Sequence, residues 1–134
     1  MLMYEGFLNK MLEMIPEFKI AKIFVNFLNS VNPELECYYI QSGGLIWVCS
    51  DIDELISINL SLAESDSDIQ FFSHHEELTD DIIAFFKYIF DTSIVSVDMK
   101  KKKVLDVMKN LTKDNFEIFR KELELQNNTK KYNL

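Results

Sequence analysis

The chain has 134 residues, 48% of them apolar, and a formal net charge of −8, which suits one domain with enough apolar surface for a core. Eleven Phe, five Tyr and one Trp are too many for a chain kept unfolded by low hydrophobicity. The longest uncharged stretch, Cys37 to Ser50, is 14 residues, short of the roughly 20 that a membrane-spanning helix needs. The charge is unevenly placed. Residues 31–99 hold fourteen Asp and Glu against one lysine, Lys87, a local charge of −13, whereas residues 1–30 are neutral and 100–134 carry +5. Such a field steers basic partners and repels nucleic acid.

Apolar residues at Phe7, Leu8, Met11, Leu12 and Ile15 predict a first helical piece, broken at Pro16. A second follows, with Ile20, Ile23, Phe24, Phe27 and Leu28 on one stripe, and it should stop near Asn29 to Asn32, ahead of Pro33. The period then changes to two. Leu35 to Gln41 and Leu45 to Ser50 flank Gly43-Gly44 as a hairpin. A third strand, Leu55 to Leu62, alternates Ile56, Ile58, Leu60 and Leu62 with Ser57, Asn59 and Ser61, so one face is apolar and the other solvated or lightly covered. Ile69 to Phe72 makes a short fourth strand after an acidic turn.

Thr79 is placed to cap the next helix, with Asp80 and Asp81 in its first turn. Ile82, Ile83, Phe85, Phe86, Ile89 and Phe90 cover most of that helix, which predicts packing between the sheet and another helix. Ile94 to Val97 is a fifth strand. Two helices close the chain: Val104 to Leu111, then Asn115 to Leu125, where Asp114 and Glu117 stand at capping-box spacing. Residues 126–134 read as a frayed tail. These elements make residues 1–134 a single α+β domain: an antiparallel β-meander of about five strands with N-terminal, central and C-terminal helices packed on it.

No catalytic constellation emerges. His74-His75-Glu76-Glu77 lacks a third ligand at a recognisable spacing, and neither Asp51-Ile52-Asp53-Glu54 nor Asp66-Ser67-Asp68 has the glycine and distant glutamate of a calcium loop. No metal or other cofactor is expected, and no enzymatic activity. The run Lys100 to Lys103 reads as solvated lysines after a strand end. Cys37 and Cys49 read as buried free thiols. A three-residue loop at Ser42-Gly43-Gly44 would place them directly across from each other, and a two-residue Gly43-Gly44 turn on opposite faces. The absence of a signal-peptide pattern and the two unpaired cysteines predict a cytoplasmic protein.

What remains is an acidic surface with aromatic neighbours, suited to a basic protein partner. The candidate contacts are Asp51, Asp53, Glu54, Glu64, Asp66 and Asp68, with Trp47, Tyr38 or Tyr39 as anchors. In size, acidity, single α+β domain and richness in Asn, Lys, Ile and Phe, the chain resembles the small acidic immunity proteins that bacteria encode beside secreted or contact-delivered toxins. That resemblance implies a monomer that neutralises a cognate toxin domain, often a basic nuclease, by covering its active site. It transfers no residue's role. The alternative is an adaptor resembling type III secretion chaperones, which act as homodimers; a small metal-dependent enzyme ranks last.

Overall fold

The computed structural model describes residues 16–51, 53–59, 68–73, 78–90 and 97–132. The expected helix before Pro16 lies outside them. Helix α1, Pro16–Val31, starts at that proline, whose missing amide costs nothing in a first turn. It stops where Asn32 donates its amide to the Leu28 carbonyl at 2.9 Å. Its stripe is buried as the spacing predicts: Ile20, Phe24, Phe27 and Leu28 are at most 3% exposed. A 3-10 turn, Pro33–Leu35, leads into the sheet.

Strands β1 (Tyr38–Ser42), β2 (Leu45–Ser50) and β3 (Asp53–Asn59) pair antiparallel along their length. β4 (Asp68–Ser73) continues on β3, and β5 (Val97–Lys100) on β4, giving the order β1-β2-β3-β4-β5. The first turn is the two-residue one. Ser42 stands opposite Leu45, and Gly43 alone of the pair takes positive φ, +62°, the pattern of a type II′ turn. The fourth strand is longer than the sequence suggests, and the fifth starts at Val97, where the sequence reading ended it; residues 94–96 lie outside the described part.

Helix α1 packs on the face of β1 to β3 that carries Ile46, Val48, Ile56 and Ile58, all buried. The opposite face of β3 is covered as well. Leu55 is 1% and Ser57 6% exposed, so the alternation of Ile with Ser marks two buried faces. A register shift between Val48 and Cys49 leaves Leu55 of β3 as the extra residue of a bulge, and Val48, Cys49 and Ser50 are buried in succession.

Helix α2, Asp80–Phe90, is held mainly by other helices. The sequence places it between sheet and helix, yet its ring contacts run to α1 and to α4: Phe86 meets Phe24 at 5.7 Å, and Phe85 meets Phe27, Phe116 and Phe119 at 5.6, 5.3 and 5.4 Å. Its start differs from the simple cap. Thr79 donates its hydroxyl to Asp81 Oδ1, and that carboxylate accepts the Ile82 amide at 3.0 Å. Lys87 is exposed in the last turn, where a cation suits the helix dipole.

Helix α3, Lys101–Met108, follows β5 directly, with Val104 and Met108 buried. Helix α4 runs Lys113–Tyr132, so most of the expected frayed tail is helix; Gln, Asn and Lys after Leu125 carry no breaker. Its cap is Thr112, whose hydroxyl accepts the Asn115 amide at 3.2 Å, and not Asp114. Arg120 ties α4 to the start of α2 through Asp81 at 3.3 Å.

The tilted and edge-on rings of α1, α2 and α4 are the centre of this helical layer, and aromatic pairs add about 0.5–1.5 kcal/mol each beyond burial. Truncation of Phe85, fully buried among four rings, should therefore cost about 3–5 kcal/mol as Phe85→Ala, read as a fall in the urea midpoint with unchanged slope.

Candidate partner-binding edge

The sheet ends at β1, and the chain reaches it through a strained corner. Glu36 closes the 3-10 turn with its amide on the Pro33 carbonyl at 3.2 Å and sits at φ +48°. Asp51, in the short connection from β2 to β3, sits at φ +49°. Left-handed backbone at non-glycine residues is uncommon, and less so for Asp than for Glu. The two corners are adjacent in space. The Tyr38 hydroxyl donates to the Asp51 carbonyl at 2.8 Å, and Glu34, Leu35, Glu36, Tyr38 and Asp51 together line a recess of about 470 Å³.

Asn29 of α1 fixes the approach to β1. Its Oδ1 accepts the Cys37 amide at 2.6 Å and its Nδ2 donates to the Cys37 carbonyl at 3.0 Å. Both backbone groups of Cys37 are thus satisfied by one side chain acting as a strand would. The next residues alternate. Tyr39 points to the core side, with its ring 6.2 Å from Phe18 in an edge-on contact, while Tyr38 and Ile40 are 42% and 48% exposed.

The candidate contacts divide accordingly. Asp51, Asp53 and Glu54 are exposed and share the end of the sheet that holds Tyr38. Trp47 stands directly across from Ile40 and is half-buried on the face of Tyr38. Tyr39 is half-buried on the opposite face, toward α1, where the two-residue turn directs it. Asp68 stands opposite Lys100 at the far end of the sheet, because successive turns of a meander lie at opposite ends. Asp68 is therefore at the opposite end of the sheet from Asp51 and Asp53. Glu64 and Asp66 lie outside the described residues, as do His74, His75, Glu76 and Glu77. Glu34 and Glu36 belong to the recess and were missed from sequence; their signal was two acids within four residues of the exposed Tyr38.

Among the described residues no three His, Cys, Asp or Glu side chains converge as a metal site, and no described helix is long and apolar enough to cross a membrane. A second hollow, of about 520 Å³, lies between α2 and α4, lined by Tyr88, Ile89, Asn110, Asn115, Ile118, Phe119 and Glu122. Tyr88 and Ile118 of its lining are 66% and 57% exposed, and Leu125, further along α4, is 66% exposed.

Both cysteines are free and buried. They stand on opposite faces of the hairpin, as a two-residue turn requires: Tyr38 is the residue across from Cys49. Burial, reinforced by Cys49, pushes the Cys37 thiol from 9.0 up to about 11, and burial with Glu54 beside it raises Cys49. Neither is an activated nucleophile. No protein-family model, curated protein or solved structure matches the chain.

The folded protein holds the Cys37 proton more tightly than the unfolded chain does. Its contribution to stability is complete below the unfolded value of 9.0 and is lost as pH rises through about 11. Across that window stability should fall more steeply in the wild type than in Cys37→Ser, measured by urea unfolding. Equal slopes would show that the thiol titrates alike in both states.

Proposed function

We propose that this protein is a non-enzymatic binding protein whose acidic corner recognises a basic protein, in the manner of an immunity protein that neutralises a cognate toxin domain. One observation carries the reading: Glu34, Glu36 and Asp51 surround one recess that Tyr38 also lines, and among the described residues no basic side chain lines it. Asp53 and Glu54 extend the acidic corner along the start of β3. Such charge raises association rates with a basic surface, and the flanking Tyr38, Ile40 and Trp47 supply apolar and aromatic anchors. Against a nuclease, carboxylates held at this corner would stand in for substrate phosphates. On this reading the protein is a cytoplasmic monomer.

The exposed Tyr88 and Ile118 at the helical hollow, with exposed Leu125 further along α4, favour a second reading. Under it the protein is a chaperone-like adaptor, which keeps an unfolded effector segment on an apolar patch and acts as a homodimer. Light scattering separates the two by mass.

The test of the first reading is co-expression with the product of the neighbouring open reading frame, followed by stopped-flow association of the purified pair. A basic toxin domain should co-purify, and its association should slow at least tenfold between about 50 and about 500 mM salt. Glu36→Lys with Asp51→Lys should slow it at low salt, with a thermal melt to check that the variant is folded. A rate indifferent to salt and to both reversals would refute the acidic corner as the recognition surface.

A further inference from the structure

We propose that the outer edge of β1 is a strand-addition site, which takes an extended basic segment of the protein partner antiparallel to β1 and seats its basic side chains at Glu34, Glu36 and Asp51. This rests on the reading above, a basic protein partner, and adds how that partner is held.

β1 is the end strand of the sheet, and among the described residues no strand pairs with its outer side. The type II′ turn decides which backbone groups face outward. Ser42 and Leu45 flank the turn as a hydrogen-bonded pair, so Ile40 with Trp47 and Tyr38 with Cys49 are also hydrogen-bonded pairs. The amides and carbonyls of Tyr39 and Gln41 then point away from β2. The next residue of the same parity is Cys37, and both of its groups are met on the outer side by Asn29. Asn29 thus closes the lower end of the edge and leaves Tyr39 and Gln41 as the positions a further strand would pair with.

Edges that must stay free are usually blunted with lysine, proline, an inward charge or a bulge. β1 reads Tyr-Tyr-Ile-Gln-Ser, without a charge or a proline, and the sheet's bulge lies between β2 and β3. Exposed Tyr38 and Ile40 flank these open groups and offer side-chain contacts to an added strand. Charge selects the occupant. The recess at the Tyr38 end is lined by three carboxylates, and an antiparallel segment ends there, so its C-terminal residues are the basic ones. A second copy of β1 would bring an uncharged strand to that end and leave the carboxylates unmatched.

The experiment uses the full chain and a fluorescein-labelled peptide of about eight residues, long enough for a strand, with alternating Thr and Val followed by Arg-Lys-Arg. Fluorescence anisotropy should show saturable binding. The same peptide with alternate amides N-methylated should bind about tenfold more weakly or worse, the effect of losing two backbone hydrogen bonds. Gln41→Pro removes an outward amide where an edge strand tolerates proline, and it should weaken the parent peptide to the same degree; its thermal melt checks folding, and the methylated peptide makes the test on unaltered protein.

Equal affinity for parent and methylated peptides overturns strand addition. If Glu36→Lys with Asp51→Lys then abolishes binding of both, the acidic corner still stands as a recognition surface. If a peptide ending in three Glu binds as well as the parent, the basic occupant is wrong, and the reading under Proposed function falls with it. Dimers by light scattering with no peptide bound would assign the edge to a second copy and overturn the proposal.

Discussion

The two-residue turn at Gly43-Gly44 is the constraint on which the rest of the molecule depends. Side chains on a strand alternate between faces, so a loop one residue longer would reverse every assignment on β1 relative to β2. With Ser42 held opposite Leu45, Tyr39 goes to the core beside Phe18 and Tyr38 goes out to meet the Asp51 carbonyl. The same register sets the direction of each amide. It presents both groups of Cys37 to Asn29 and leaves Tyr39 and Gln41 facing outward. Glycine at position 43 makes this possible, since a φ of +62° strains any other common residue.

The helical layer supplies what the hairpin cannot. A lone hairpin is marginal in water, and β1 buries little of its own surface. Helix α1 covers its inner side with a stripe in which Ile20, Phe24, Phe27 and Leu28 are buried, and the rings of Phe27, Phe85 and Phe116 lock α1 to α2 and α4. That packing positions Asn29 against Cys37 at one end of the helix. Asn29 thus ties the end of α1 to the approach of β1, beside the contact of Phe18 with Tyr39. Among the described residues, Glu34, Glu36, Asp51, Asp53 and Glu54 gather at one end of the sheet and Asp68 stands at the other.

Much of this was readable in the residues. The stripe of α1, the hairpin and the α+β class follow from periodicity, because a spacing of 3.6 or two survives whatever packs against it. Register did not follow. Ser42-Gly43-Gly44 permits turns of two or three residues, and only the pairing of both strands decides between them. The polar face of β3 misled because Ser57 is small enough to be buried without a large cost. Asp114 and Glu117 matched a capping box, yet Thr112 stands two residues earlier and takes the Asn115 amide. Asp51 and Asp68 were grouped by charge, although consecutive turns of a meander place them apart. The recess itself was half readable: Tyr38 and Asp51 were named, while Glu34 and Glu36 join them only through the left-handed corner at Glu36.

Hydrogen exchange of the free protein, followed amide by amide by NMR, addresses the open edge directly. The amides of Tyr38 and Ile40, bonded to β2, should exchange slowly, as should Cys37 under Asn29. Those of Tyr39 and Gln41 should exchange fast, in strict alternation. Slow exchange at Tyr39 and Gln41 would mean that the edge is already paired, and the account of β1 as a docking edge would be wrong.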